Sequence, residues 1–452
     1  MTLNPADSAI FGGLYGTDEI RALFDDRRRL GFMLQVEVAL ARAQAALGII
    51  PVEAAEAIAA AADPHALDLA QIRAETEKAG QPVMALAKAL TQAAGPEAGR
   101  WVHWGATTQD ITDTALVLQL RAALDPIERD LLALIRALAT QAERHRSLVM
   151  AGRSFLQQAL PVSFGYKAAV WLSPLLRHVE RLHQLKPRLL QVQFGGAVGT
   201  LASLGDRGRA VTERLADDLG LGCPLAPWHS ARDGIAELGA WLGLLAGSLA
   251  KFAGDVTLLA QTEFGELVET TETGRGGSST MPQKRNPIIS THIVAAALAV
   301  EAQVPLLLAA QHHQLERAVG PWQAEALALP QALALTAGAL AQAVRVADGM
   351  RPDPARMRAN LAITHGLVMA ERVMMALADR MGRSEAHHLV QAACLTALTE
   401  DRPLRAILGE TAEVAAHLDA AALDRLMDPA GYLGESAAVV DRVVAAARAL
   451  SI

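Results

Sequence analysis

Apolar residues recur at helical spacing almost from the start of the chain. Thr17-Asp18-Glu19 supplies a cap and an acidic first turn, Ile20, Leu23 and Phe24 share one face, and the pattern resumes through Leu30, Leu34, Val38 and Leu47 until Gly48 and Pro51 stop it. From about Ile111 the apolar runs lengthen. Segments near 111–147, 161–190, 230–266, 287–315 and 324–349 each predict a helix well beyond the ~11-residue average. Leu238–Ala250 carries no charge and is apolar on most faces, which predicts a helix covered by protein on several sides, as at the centre of a bundle. Ala326–Val344 is also uncharged, but Pro330, Gln331 and Gln342 interrupt it, which predicts a buried helix rather than a membrane span. Pro352 and Pro354 break the pattern after Met350, and shorter helical stretches run on to Ile452. The expectation is an all-α protein of three helical domains, 1–110, 111–350 and 351–452, the central one a bundle of long helices.

Composition narrows the class. Of 452 residues, 52% are hydrophobic and 20% charged, far from the makeup of a disordered chain. Aromatics are only 4%, while Ala and Leu dominate, which excludes an all-β fold. The 41 basic and 48 acidic residues are interspersed and sum to −7, which leaves no footprint for nucleic acid. Cys223 and Cys394 form neither a disulfide framework nor a zinc spacing, so a reducing cytoplasm is expected. Asp7, Asp18 and Glu19 precede any long apolar run, the wrong order for a signal peptide. His312 and Glu316 have the i,i+4 spacing of metal ligands, but nothing supplies a third, so no metal and no cofactor is expected.

Three short segments depart from the helical pattern with Gly and small polar residues: Gly105–Thr114, Gly195–Gly199 and Gly274–Pro287. In a chain this helical, such loops are where chemistry is expected. The last is the richest. Gly274-Arg275-Gly276-Gly277-Ser278-Ser279-Thr280 is flexible and bears adjacent hydroxyls, and Met281-Pro282-Gln283-Lys284-Arg285-Asn286-Pro287 adds a cation and an amide at once.

From Gly277 to Pro287 the string matches, position for position, the GSSxMPxKxNP signature of the fumarase/aspartase superfamily, which the chain therefore resembles. His103-Trp104-Gly105-Ala106-Thr107-Thr108-Gln109-Asp110 resembles that superfamily's first block, Gly195–Thr200 its second, and Asp428-Pro429 with Tyr432-Leu433-Gly434 a C-terminal pattern of adenylosuccinate-lyase-like members. The resemblance implies a homotetramer with a twenty-helix core, whose active sites are each shared by three subunits. It also implies proton transfer at the carbon next to a carboxylate, through an aci-carboxylate intermediate that needs preorganised donors and a cation. By motif position Ser278 is the proton-transferring serine, and Lys284 and Asn286 bind the carboxylate and the intermediate. Thr107, Thr108, Gln109, Ser279 and Met281 fall at substrate-contacting positions, with Arg317, His103, Arg153 and Gln157 as further candidates. Lys251, Glu263 and Glu266 are expected to be helix-surface or intersubunit charges.

One departure is informative. Gly152-Arg153-Ser154-Phe155-Leu156-Gln157 aligns with a stretch that in fumarase, argininosuccinate lyase and adenylosuccinate lyase reads like G-R-T-H-L-Q, so Phe155 stands where those enzymes place a histidine. A phenyl ring cannot donate a proton, and a reaction that expels amine or hydroxide would lose its acid. The branch that tolerates this is that of the 3-carboxy-cis,cis-muconate cycloisomerases, where the group added or expelled is a carboxylate, with a pKa near ~4. The chain resembles that branch also at Gln193–Ala197, Pro227–Asp233 and Gly382-Arg383 with Ala386-His387-His388. The implied activity is an intramolecular lyase on a small di- or tricarboxylate, either the 3-carboxymuconate or its 3-sulfo analogue. A fumarate-releasing lyase of the adenylosuccinate type is the alternative, and a catalytically silent helical assembly is the remote third.

Overall fold

The computed structural model describes residues 4–270, 274–317 and 320–450. Its five long helices are Thr108–Arg144, Phe164–Leu189, Asp233–Ala260, Ile288–Ala309 and Pro321–Gly349, each starting within three residues of the expected position. Two stop six residues short of the expected end. After Ala260 the chain turns at Gly265, whose φ of 59° is left-handed and whose amide bonds to Gln261. After Ala309 it runs irregularly through Leu315, also left-handed at 53°. Asp233–Ala260, Ile288–Ala309 and Pro321–Gly349 are long and apolar enough to cross a membrane, by length and composition alone.

The boundaries between two compact units fall inside the long helices. The first unit comprises Met1–Leu131, His178–Ala250 and His292–Gln342. Its core gathers Leu34 and Leu40 of helix Asp26–Ala46, Ile58 of Val52–Ala61, Leu86 and Leu90 of Val83–Ala98, and Leu215 of Gly208–Leu219. The Asp25 carboxylate starts the 26–46 helix by accepting from the Arg27 amide at 2.9 Å.

The second unit comprises Leu132–Arg177, Lys251–Thr291 and Ala343–Ile452. Val373, Leu377, Val390, Leu404 and Leu408 form its main core, and Ala151, Leu361, Val368 and Met369 a smaller one. It holds the few strands, which the apolar periodicity did not predict. Val149–Ser154 pairs antiparallel with Gln157–Ser163, and Leu267–Val268 with Arg351–Pro352. Ser154 faces Gln157, so only Phe155 and Leu156 turn the hairpin, both with positive φ (51° and 63°) as in a primed two-residue turn. Such turns favour Asn and Gly. Here two apolar residues occupy one, and Phe155 is 99% exposed.

Gly165, in the first turn of the 164–189 helix, marks a close approach of backbones. A Cβ there would lie 2.4 Å from the Ala142 carbonyl oxygen and 2.7 Å from that of His145. Neither atom can swing away as a side chain would. Gly165→Ala is expected to destabilise the protein by about 1–3 kcal/mol, read as a lowered denaturant midpoint; an unchanged midpoint would show that the two segments can part at no cost.

Candidate active site

In the first unit the site is organised by a carboxylate the sequence reading left unassigned. Asp110 sits on the first turn of the 108–144 helix, 1% exposed. Its Oδ1 accepts from the Gly195 amide at 2.9 Å and Gln193 Nε2 at 3.2 Å, and lies 2.7 Å from His229 Nε2. Its Oδ2 accepts from the amides of Gly196 at 2.9 Å and Thr107 at 3.0 Å. The first block, the second block and the 227–233 stretch are thereby joined at one point. Gln193 extends the joint, its Oε1 taking the Trp228 amide at 2.5 Å.

Thr107 and Arg317 come together: Arg317 Nη1 donates to Thr107 Oγ1 at 2.7 Å and to the Ala197 carbonyl at 3.3 Å. Gln109 is buried, and its Nε2 donates to the His229 carbonyl at 2.7 Å, so that donor serves the fold. Thr108 opens the helix, half-buried, and its carbonyl accepts from Thr112.

His103 has a φ of 60° and places Nδ1 2.6 Å from Oε1 of buried Glu37. Glu37 was missed, though its place beside Leu34 and Val38 on an apolar helix face was the available signal. Burial pulls the His103 imidazole down, but the hydrogen bond and charge of Glu37, helped by Asp110, outweigh it, so its pKa lies above the usual 6.5.

Beside this cluster Arg232, 0% exposed as a side chain, holds two carboxylates. It meets Asp113 at 2.6 and 3.0 Å and Glu325 at 2.9 and 2.5 Å, with its guanidinium 4.8 Å from the Trp228 ring centroid. One cation thus faces two buried anions. Burial raises the Glu325 pKa, Arg232 opposes it and the charge of Asp113 adds to it.

In the second unit the signature loop is pinned at its base. Gly277 bridges to Arg285, and the Gly276 carbonyl takes both the Asn286 amide at 2.8 Å and Asn286 Nδ2 at 3.1 Å. Gly276 has a φ of 74°, and a Cβ there would fall 2.4 Å from the Asn286 carbonyl oxygen, so the position demands glycine. Ser278 Oγ accepts from the amides of Thr280 at 3.3 Å and Met281 at 3.1 Å. Ser279 is exposed, 3.5 Å from the Thr280 hydroxyl; Met281 is also exposed. Lys284 is exposed; its amide donates to the Met281 carbonyl at 3.0 Å, and its side chain makes no hydrogen bond or ion pair among the described residues. With Asn286, Glu269 and Arg275 it lines a cavity of about 300 Å³. Glu269, also missed, is buried and caps the following helix, accepting from the Ile289 amide at 3.2 Å and the Ser290 amide at 2.6 Å.

Arg153 and Gln157 lie on the hairpin. Arg153 gives Nη1 and Nη2 to Glu266 at 2.9 and 2.8 Å and stacks 4.2 Å from the Phe264 centroid. Glu266 also accepts from Asn360 Nδ2 at 2.8 Å. It was expected at a surface or an intersubunit contact, and is instead fully buried, because that carboxylate neutralises Arg153 inside the unit. Gln157 is exposed at the start of the second strand.

Two measurements check the electrostatics. A folded pKa above the ordinary one means that the His103–Glu37 pair stabilises fully below about pH 6.5 and loses that contribution as pH rises through the raised value. His103→Gln should therefore cost more stability at pH 6 than at pH 8.5; an equal cost at both would mean the pair is uncharged. Arg232→Met should destabilise by about 3–5 kcal/mol, because two carboxylates lose their cation, whereas Glu325→Gln should be close to neutral. The reverse order in denaturant melts would place the surplus charge elsewhere.

Comparison with known proteins adds an independent line. A lyase family model matches residues 14–301, and a model of the adenylosuccinate lyase C-terminus matches residues 366–443. The chain is 49% identical to a 3-carboxy-cis,cis-muconate cycloisomerase of Pseudomonas aeruginosa, over 98% of this chain and 97% of that protein. It is 45% identical to one of Bradyrhizobium diazoefficiens, over 98% and 99%. The crystal structure of a 3-carboxy-cis,cis-muconate lactonizing enzyme from Pseudomonas putida superposes with a TM-score of 0.94 at 46% identity, covering 98% of this chain and all of that one. The signature loop, the blocks joined at Asp110 and these full-length likenesses agree: the chain belongs to the lyase family of the fumarase/aspartase superfamily.

Proposed function

We propose that the chain is a cycloisomerase, an intramolecular lyase that interconverts 3-carboxy-cis,cis-muconate and 4-carboxymuconolactone in protocatechuate breakdown, with the 3-sulfomuconate reaction as a close chemical variant. The observation that carries this choice within the family is Phe155, which leaves no acid at the position where a leaving amine or hydroxide would need one. Relatives named as cycloisomerases at 45–49% identity support it.

In the lactonising direction a carboxylate oxygen of the substrate adds to the conjugated alkene. The C–O bond forms, the electron pair moves onto the carbon beside a second carboxyl group, and that group becomes an aci-carboxylate dianion. Lys284 and Asn286 bind the developing charge, and Ser278 delivers the proton to the carbanionic carbon. The amides of Thr280 and Met281, which already donate to Ser278 Oγ, stabilise the alkoxide left behind. Thr107, Thr108, Gln109, His103, Ser279, Met281 and Arg317 make up the substrate-binding set in this reading. Arg153 and Gln157 belong to it through the hairpin, Arg153 keeping its pair with Glu266.

The assembly we propose is the superfamily's homotetramer, with a twenty-helix core and shared sites, in a cytoplasmic enzyme of three domains divided near 110 and 350. Its support is apolar surface on the long helices: Leu298 is 62% exposed, and Leu244, Leu306 and Leu327 are exposed as well. Glu237, Lys251, Asp255 and Glu301 on the same helices argue for protein rather than lipid as the cover. The exposed Phe155–Leu156 turn would then reach a neighbouring copy.

Purified protein mixed with 3-carboxy-cis,cis-muconate, without metal or nucleotide, should lose the diene's ultraviolet absorbance. A static spectrum would sink this reading, and fumarate release from adenylosuccinate would install the alternative. Ser278→Ala should keep substrate binding but lower kcat by roughly 10² to 10⁴; a dead Ser279→Ala beside an active Ser278→Ala would reassign the hydroxyl. Phe155→His should not speed lactonisation, and a large gain would remove the leaving-group argument.

A further inference from the structure

A second cavity, of about 900 Å³, lies within the second unit, and no residue of the candidate active site lines it. Ser147 and Leu148 ahead of the hairpin with Val149 at its start, helix Pro354–Ala362 with the turn after it, and the segment around Met427–Ala430 form its walls. Leu148, Leu361, Val368, Met369 and Met427 make most of the lining apolar. Gly366, with a φ of 86° that favours glycine, also lines it, and a Cβ there would meet only the flexible end of Met427, 2.8 Å from its Cε.

The ionisable side chains of this lining are those of Arg358, His365, Arg405 and Asp428. Three are engaged. His365 Nε2 lies 3.3 Å from Asp401, Arg405 Nε donates to Asp424 at 2.7 Å, and Asp428 Oδ1 accepts from the Ala430 amide at 3.0 Å. The Arg358 side chain, which is exposed, makes no hydrogen bond or ion pair among the described residues. A concave site of several hundred Å³, mostly apolar with an unpaired charged side chain in its lining, is a form small-molecule sites take. The planar guanidinium selects a carboxylate, and methionines at the wall adapt to a ring. Asp428 and the apolar lining disfavour a multiply charged ligand such as a phosphate ester.

We propose that this cavity binds a small aromatic or alicyclic monocarboxylate, its ring against Leu361, Met369 and Met427 and its carboxylate on Arg358. The site is separate from the proposed catalysis and does not depend on it. Its occupant would touch the helix that also carries Asn360, the residue that holds Glu266 against Arg153.

Calorimetric titration of the full chain, in its native assembly, with 2-naphthoate as the probe should show saturable binding at one site per chain. Arg358→Ala should weaken it about tenfold or more, the loss expected for a charge-assisted contact. Ala362→Trp, at an exposed lining position, should abolish it by filling the space, and both variants should keep the wild-type circular dichroism, elution volume and turnover. The uncharged 2-naphthamide should bind wild type about tenfold or more weakly than the acid. Absence of saturable binding up to millimolar probe, as when a neighbouring copy covers the cavity, overturns the proposal. So does binding that survives both substitutions, or equal affinity for acid and amide.

Discussion

The first unit depends on how one buried anion is satisfied. Asp110 carries a formal charge where water does not reach, and such a charge survives only where dipoles or cations replace its hydration. Here two glycine amides, the Thr107 amide, a glutamine carboxamide and His229 converge on its two oxygens. Residues 107, 193–196 and 229 are remote in sequence, so the chain can meet this requirement only by bringing three loops to one point. The requirement fixes Thr107 where Arg317 reaches its hydroxyl, and it leaves the groups assigned to substrate recognition with little freedom to wander. Preorganisation of that kind is what stabilising a dianionic intermediate demands, because donors that must first rotate into place return part of what they contribute.

The second unit solves a different problem by different means. Its signature loop is held at the base by backbone pairing and by the glycine that Asn286 crowds, while Ser279, Met281 and Lys284 stay exposed beyond that base. Glu269 fastens the far end by capping the next helix. An arm with a fixed base and an exposed crest suits a segment that closes over substrate and excludes water, and the Ser278 hydroxyl sits just past the fixed part, with two amides already aimed at it.

How much of this was legible follows from which physical signals are local. The long helices were, because period 3.6 is written in neighbouring residues, and so was the loop, because its Gly, Ser and Asn have conformational and chemical meaning at fixed spacing. The hairpin was not. Its turn holds Phe155 and Leu156 where the local rule expects Asn and Gly, and the end of its second strand, 161–163, falls inside the helix expected from about 161. Glu37, Asp110, Glu266 and Glu269 escaped for a shared reason: each is a buried acid whose partners lie far away in sequence or in backbone amides, which no spacing rule reports. A charged residue on an otherwise apolar face, as at Glu37, is the trace they do leave.

That turn bears on how an active site of this family is completed. Two left-handed non-glycine residues in succession cost on the order of 1–2 kcal/mol each, and exposing a phenyl and an isobutyl side chain in water adds no compensation inside the chain. The register is regular at the two pairs next to the turn, Arg153–Gln158 and Ser154–Gln157, and shifts only beyond them, between Ala151 and Arg153. A tip of this composition becomes favourable once its apolar side chains are buried, and burying a Phe or Leu side chain fully is worth about 1.5–3 kcal/mol. In the proposed tetramer a neighbouring copy supplies that burial. In that proposed assembly the residue in the histidine's place would contribute surface rather than a proton, and burial against the neighbour would offset the strain at the turn.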